Sequence, residues 1–419
     1  MDTVIVLFNR DLRVHDHPAL AAACAEAERV VPLFVLDPAI PAGRRGGFLA
    51  ECLADLRGSL RERGGDLVVR RGDTVTEAMR LAGETSAEAI YASADVSRLA
   101  RRREGRLAGE RIAFRCFPGV TVVPPGALYP SGENDHYRVF TPYWRAWSAT
   151  GRRSVLPPPA RVPLPAGLAP GQLPPREPYG AMRGGESLGR ERAEAWLRSG
   201  LAGYEDGHDD LAGDRTSRLS PYLRFGCVSP LELAAGARGN EPFLRQLCWR
   251  DFHHQVTYAF PDINRRDYRP RGTRWAPGGE ALDAWREGRT GMPIVDAGMR
   301  QLLAEGWMHN RARLITGNYL VKHLGVDWRA GLAHFFELLL DGDVANNSGN
   351  WQWVAGTGND TRPNRTFNPL RQADRFDPAG EYVRRYVPEL AGLTGREIHR
   401  PWRLADPPPG YPALPAGVA

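Results

Sequence analysis

Thr3-Val-Ile-Val-Leu-Phe8 decides how the first third of the chain is read. The run is short, uncharged and rich in β-branched residues, the pattern of a strand buried on both faces. Four similar runs follow it: Val30–Leu36, Leu67–Arg70, Ala89–Ser93 and Ile112–Phe117. Helical patterns separate them, at Pro18–Glu28, Phe48–Glu62, Val75–Ala82 and Val96–Leu107. Pro18 suits a first helical turn, with Asp16 or His17 near the start. Five strands alternating with helices predict a doubly wound, parallel five-stranded sheet covered on both faces. No Gly-x-Gly-x-x-Gly follows the first strand, so a dinucleotide site of the usual kind has no support there.

The pattern changes after the fifth run. Residues 151–180 hold nine prolines, too many for a helix or a central strand, so they read as a long connecting segment. Beyond about Glu186 strand patterns vanish. Glu191–Arg198, Leu231–Gly236, Pro242–Tyr258, Pro293–Glu305, Arg311–His323 and Trp328–Leu340 all have helical spacing. The predicted organisation is an α/β domain over 1–130, a Pro/Gly-rich linker over 131–190, an all-α domain over 191–405 and a Pro-rich tail over 406–419. A chain of 419 residues is expected to hold two to three domains.

Composition narrows the class. Apolar residues make up 42% and charged residues 25%, which excludes a disordered or collagen-like chain. No window approaches the ~18 uncharged apolar residues of a spanning helix. The N-terminus places an acid before its apolar run and has no small-residue cleavage site, so a cytoplasmic protein is expected. Cys24, Cys52, Cys116, Cys227 and Cys248 are odd in number, scattered and free of Cys-x-x-Cys pairs. A disulfide framework and a cysteine zinc site are thereby excluded, and no metal is expected. The net charge of +6 suits an anionic partner. Since 54 of the 55 basic residues are arginine, coding bias in a GC-rich genome is the simpler explanation of that excess. Eight of the eleven tryptophans lie between Trp249 and Trp402, which marks the second half as the unusual one.

Several segments there carry polar chemistry. Arg215–Leu223 packs three hydroxyls and two guanidiniums before Pro221, as a phosphate-holding helix start or an ordinary cap would. Asp341-Gly-Asp343 lacks the remaining ligands of a calcium loop and reads equally as a turn after a helix. Asn346 and Asn347 offer amides to a heteroaromatic ring. Trp351 and Trp353 diverge by about 200° on a helix, so they face different surroundings. Gln246 and Trp249 share one helical face. A stacking ring beside an amide suits a nucleobase, and equally a core indole with a satisfied amide.

Taken together, Arg10-Asp-Leu-Arg13-x-His-Asp, Thr216-Ser-Arg-Leu-Ser-Pro-Tyr-Leu, Leu247-x-Trp-Arg-Asp-Phe, Gly291-x-Pro-Ile-Val-Asp296, Gly306-Trp-Met-His-Asn-Arg311 and Asp341-Gly-Asp…Asn346-Asn347…Trp351-Gln-Trp353 resemble the cryptochrome/photolyase family. The closest resemblance is to bacterial class I photolyases for cyclobutane pyrimidine dimers, in register over nearly the whole chain. It implies a helical domain that holds FAD in a U shape and binds UV-damaged DNA. The implied FAD contacts are Tyr204, Thr216, Ser217, Arg218, Leu219, Ser220, Trp249, Asn310, Asp341, Gly342, Asp343 and Asn347. Asn347 matches the residue facing flavin N5. Trp275, Trp328 and Trp351 match the family's electron-transfer triad, and indole suits that role as the most readily oxidised large side chain.

The resemblance places His208, Gln246, Trp249, Asn310, Arg311, Trp353 and Gln372 at the DNA lesion. Two positions depart from the pattern: dimer photolyases usually have Glu where Gln246 stands and Arg where His208 stands. Gln is typical of (6-4) photolyases, which usually carry a second histidine where this chain has Asn310. Arg45 and Asp95 align with residues lining an 8-hydroxy-5-deazaflavin antenna pocket. The resemblance therefore implies light-driven repair of cyclobutane dimers by a monomer without an obligate protein partner. A (6-4) photolyase and a cryptochrome-like photosensor are the alternatives.

Overall fold

In the computed structural model, residues 1–414 are described, apart from 133, 178, 360, 361 and 363. The last five residues of the tail expected over 406–419 lie outside that range. Contacts divide the chain into two compact units, Met1–Leu201 with Ser217–Asp262, and Ala202–Thr216 with Ile263–Ala419. The second half of the sequence is thus shared between them, and the units do not follow the boundary read at residue 191.

The first unit contains the sheet. Its strands are β1 (Thr3–Phe8), β2 (Arg29–Leu36), β3 (Val68–Arg71), β4 (Ala89–Ser93) and β5 (Ala113–Phe117), in the order β3-β2-β1-β4-β5 and all parallel. β1 is central and buried at all six positions, as an all-apolar run requires. The first helices are α1 (Pro18–Glu26), α2 (Gly46–Arg61), α3 (Thr74–Thr85) and α4 (Arg98–Ala108). α1 is capped by His17, whose Nδ1 accepts from Leu20 N–H at 3.0 Å. The motif that opens the chain is structural. Arg13 is buried and donates to the carbonyls of Asp16, Gly119 and Gly226, each at 2.9 Å. His17 Nε2 meets Asp11 Oδ2 at 3.0 Å, both fully buried.

The stretch read as a linker over 131–190 also holds regular structure. It contains α5 (Phe140–Ala149), whose Phe140, Tyr143 and Trp147 are buried on one face. The proline-rich part is tied down strand-like: Val162 N–H donates to Arg63 O, Val30 N–H to Pro163 O and Val69 N–H to Pro170 O. Prolines cannot donate, but their carbonyls and the few intervening amides serve the sheet edge. This unit also holds α6 (Glu186–Ala195).

The second unit is helical, beginning with the single turn α7 (Tyr204–Gly207). The chain then returns to the first unit for α8 (Ser220–Phe225), α9 (Pro230–Gly236) and the 19-residue α10 (Glu241–Ala259). Helices α11 (Gly279–Arg286), α12 (Pro293–Glu305), α13 (Asn310–Asn318), α14 (Trp328–Leu338), α15 (Val344–Ala355), α16 (Pro369–Phe376) and α17 (Glu381–Tyr386) complete the second unit. Its core runs from Trp285 through Met299, Trp328, Phe335 and Trp351 to Tyr382. No described helix is long and apolar enough to cross a membrane.

Candidate active site

In the second unit the polar residues singled out in the sequence gather where α14 turns into α15. Asp343 caps α15, its Oδ1 accepting from Asn346 N–H at 2.7 Å and Asn346 Nδ2 at 3.1 Å. Asp341 accepts both prongs of Arg313, at 3.1 and 2.8 Å, and Arg313 is fixed from behind by Met308 O. Asn347 is buried one turn into α15 and donates Nδ2 to Leu332 O at 3.2 Å. Its Oδ1 has no partner among the described residues. His309 caps α13 by accepting from Arg311 N–H at 3.1 Å on Nδ1. Burial pushes its pKa down to about 4, and the nearby acids only partly oppose that. The ring is therefore neutral at pH 7, and its buried Nε2 lacks a hydrogen-bond partner among the described residues. The buried Oε1 of Gln372 on α16 is likewise unpaired. Buried polar atoms left open in this way ask for a ligand or water.

The three expected electron-transfer tryptophans all lie in this unit; Trp351 and Trp328 are buried and Trp275 is half-buried. Trp351 packs edge-on to Phe335 at 5.0 Å and to Trp285 at 6.0 Å. It seats against α14 at Gly331, where an added Cβ would stand 2.1 Å from the indole, so that notch needs glycine. Trp328 is fully buried and donates Nε1 to Asp267 at 3.0 Å. Trp275 is half-buried, packed on the margin of the core. Trp353 diverges from Trp351 as helical geometry requires: Trp351 is 3% exposed, while Trp353 is half-buried beneath the Arg365 guanidinium.

Asn310 is exposed at the start of α13. Arg311, expected at the DNA lesion, forms a two-pronged ion pair with Asp209 at 3.0 and 2.5 Å and lies over the Phe376 ring. His208 is 3.8 Å from the same carboxylate, and its ring is tilted against Tyr204 with centroids 5.2 Å apart. Thr216 donates its hydroxyl to Asp214. Sequence reasoning missed Arg313, Asp209 and Trp285. Their partners are 28 to 102 residues away, and no local spacing marks them.

In the first unit, Ser217–Ser220 forms the bend into α8. Arg218 adopts a left-handed φ of 49°, Leu219 N–H reaches Ser217 Oγ at 3.4 Å, and Leu219 itself is buried. On α10 Gln246 is exposed and Trp249 half-buried, one turn apart on one face. Trp249 lies flat on Phe140 with ring centroids 3.8 Å apart and planes within 1°. Phe140 was also missed, because it sits in the stretch read as linker. Of the residues expected at an antenna, Arg45 is buried just before α2, and Asp95 follows β4 with its carboxylate 3.3 Å from Arg10. No group of three or more potential metal ligands occurs among the described residues.

Residues 4–166 match the DNA photolyase family and residues 243–412 the FAD binding domain of DNA photolyase. The chain is 52% identical to a deoxyribodipyrimidine photo-lyase of Streptomyces griseus, over 96% of this chain and 93% of that one. This chain belongs to the DNA photolyase family. A class III photolyase from Agrobacterium tumefaciens has the same fold, with a TM-score of 0.93 and 32% identity over 99% of this chain and 94% of that one. An archaeal photolyase from Sulfolobus tokodaii, described as holding two FAD molecules, matches with a TM-score of 0.87 and 30% identity over 98% and 95% of the two chains. For a photolyase with an FAD-binding domain, the open Asn347 Oδ1, His309 Nε2 and the Asp341–Arg313 pair fit a bound polar heteroaromatic group.

Proposed function

We propose that this photolyase carries out light-driven repair of cyclobutane pyrimidine dimers in UV-damaged DNA with FAD. The observation that carries the reading is the corner of α14 and α15, where Asp341 and Asp343 are buried and buried Asn347 stands one helical turn from Trp351. Bound reduced FAD supplies one electron under blue or near-UV light. Asn347 presents an amide, which hydrogen-bonds without readily giving up a proton. Asp341 is held by Arg313 and Asp343 by its own helix, so both carboxylates are fixed before a cofactor arrives. Tyr204, Thr216, Ser217, Arg218, Leu219, Ser220, Trp249, Asn310 and Gly342 are the further residues proposed to hold it. Trp351 and Trp328 in the core and Trp275 at its margin let an oxidising equivalent leave the interior before it recombines.

No side chain acts as nucleophile or general base in this reading. Gln246 and Trp249 on α10 are proposed to present an amide and a stacking face to an extruded base. Trp353, Asn310, Arg311, His208 and Gln372 are the proposed lesion and backbone contacts of the second unit. The functional limits proposed from the sequence, 1–130 for antenna and 191–405 for FAD and DNA, cut across the compact units. The chain is proposed to act as a cytoplasmic monomer.

The deciding measurement is restoration of thymines in dimer-containing DNA, in light and in darkness. Repair only in light is expected, and no repair in light sinks the reading. Gln246 favours a (6-4) lesion as the second reading, so that substrate belongs in the same assay. For the antenna we propose 8-hydroxy-5-deazaflavin near Arg45 and Asp95. The two FAD molecules of the Sulfolobus tokodaii relative favour a flavin as the second reading there. Mass spectrometry of chromophores released on denaturation separates the two.

A further inference from the structure

A cavity of about 730 Å³ opens in the first unit between α5, the segment 150–155, α9 and the first turn of α10. That volume is in the range of small-molecule sites. No residue of the FAD, lesion or antenna sets lines it. Its walls include Trp144 and Trp147, the hydroxyls of Ser148, Thr150 and Ser154, and four charged groups, Arg152, Arg153, Arg238 and Glu241, whose pairings decide its sign.

The charges do not cancel. Arg153 is spent on the buried Asp16, with which it makes a two-pronged pair. Glu241 is spent on Arg245 at 3.2 Å. Arg152 and Arg238 have no carboxylate partner among the described residues. Arg152 instead lies over the face of Trp147, 4.2 Å from the ring centroid. Trp147 cannot yield, since its Nε1 is fixed on buried Asp251 at 2.9 Å. Burial depresses the pKa of Arg152; the Asp251 carboxylate opposes this and the nearby Arg238 charge adds to it. Asp251 already accepts from Trp147 and from the Val122 and Val123 amides and only partly offsets the two cations, so an anion between them adds a counter-charge in this part-buried site.

We propose that this cavity binds a nucleoside phosphate, with its phosphate between Arg152 and Arg238 and its base beside the half-exposed indole of Trp144. The indole offers an aromatic wall and the three hydroxyls can bond sugar and base edges. Two sources share this chemistry: a free mononucleotide, or a nucleotide of an undamaged single strand. The inference stands apart from the proposed repair activity and from FAD binding.

The test is equilibrium dialysis of the FAD-loaded protein against radiolabelled dTMP, a five-residue oligothymidylate and inorganic phosphate. Saturable binding is expected for dTMP or the oligonucleotide, at least tenfold tighter than phosphate. Arg238→Glu, at an exposed position that the fold tolerates, should weaken it at least tenfold, and Arg152→Gln comparably. Arg102→Glu, the same charge change on α4, should leave it intact. Binding of the oligonucleotide alone assigns the strand as source, and equal binding of dTMP assigns the free nucleotide. No saturable binding, phosphate binding as tightly as dTMP, or equal losses in Arg238→Glu and Arg102→Glu would each overturn the proposal.

Discussion

Gln246 puts an amide at an exposed position of α10, one turn from Trp249. A thymine edge offers carbonyl acceptors and an N3–H donor. An amide answers both, whereas an ionised carboxylate only accepts. Gln246→Glu is therefore expected to change the repair yield per flash more than the affinity, which should move by no more than about 1–1.5 kcal/mol, the scale of one hydrogen bond. Dimer binding and single-flash repair by both proteins, with a (6-4) lesion as control, make the comparison. Repair of the (6-4) lesion but not the dimer by the natural protein would overturn the dimer assignment. Trp351 is tested differently. Its indole fills the notch at Gly331 and touches Phe335 and Trp285, so Trp351→Phe should cost about 1–3 kcal/mol of stability. It should block photoreduction of oxidised FAD, yet leave repair by chemically reduced enzyme in place. Equal loss of both activities would mean that Trp351 serves packing alone.

At the scale of elements, α13 depends on a neutral histidine. His309 Nδ1 can cap the helix only while it is unprotonated, and burial holds its pKa at about 4. Between the unfolded value near 6.5 and that folded value, the unfolded chain takes up a proton the native chain refuses. The stability from this ring is thus complete above about pH 6.5 and is lost as pH falls through 4, at most about 3 kcal/mol in all. His309→Asn keeps an acceptor for the cap and removes the titration, so its denaturant midpoint should fall less steeply between pH 6.5 and 4. Parallel curves for the two proteins would refute a neutral, buried ring. The elements also show what a sequence reveals. Each strand was readable because a buried parallel strand is a closed apolar run, and Trp351 and Trp353 diverge because helical geometry leaves no choice. Helix α5 was hidden: its apolar face of Phe140, Tyr143 and Trp147 spans only two turns beside the prolines, whose composition dominated the reading. The corner at Asp341–Asn347 stood out by its polar residues, its role toward FAD came from family resemblance, and Arg313 came from neither source, since its partner is defined only by folding.

For the whole molecule, a net charge of +6 understates how far arginines are already committed. Arg311 shows the consequence. The resemblance places it at the DNA lesion, where a guanidinium would meet backbone phosphate, but the structure pairs it with Asp209 through both prongs, with a side chain only 19% exposed. A guanidinium neutralised this way displaces little of the counterion atmosphere of DNA until the carboxylate yields. Salt dependence reports such contacts directly, since each full phosphate contact contributes about 0.9 to the slope of log affinity against log salt on duplex DNA. Asp209→Asn removes the competing charge and leaves an amide that still accepts one hydrogen bond from Arg311. It should tighten binding to damaged DNA at low salt and steepen the slope by about one contact. Adding Arg311→Ala to that variant should return the slope to its original value, because the released cation is then gone. Binding isotherms of the three proteins between low and physiological salt measure the effect. If Asp209→Asn leaves the slope unchanged, Arg311 does not meet phosphate, and its role is to hold the Asp209 segment against α13.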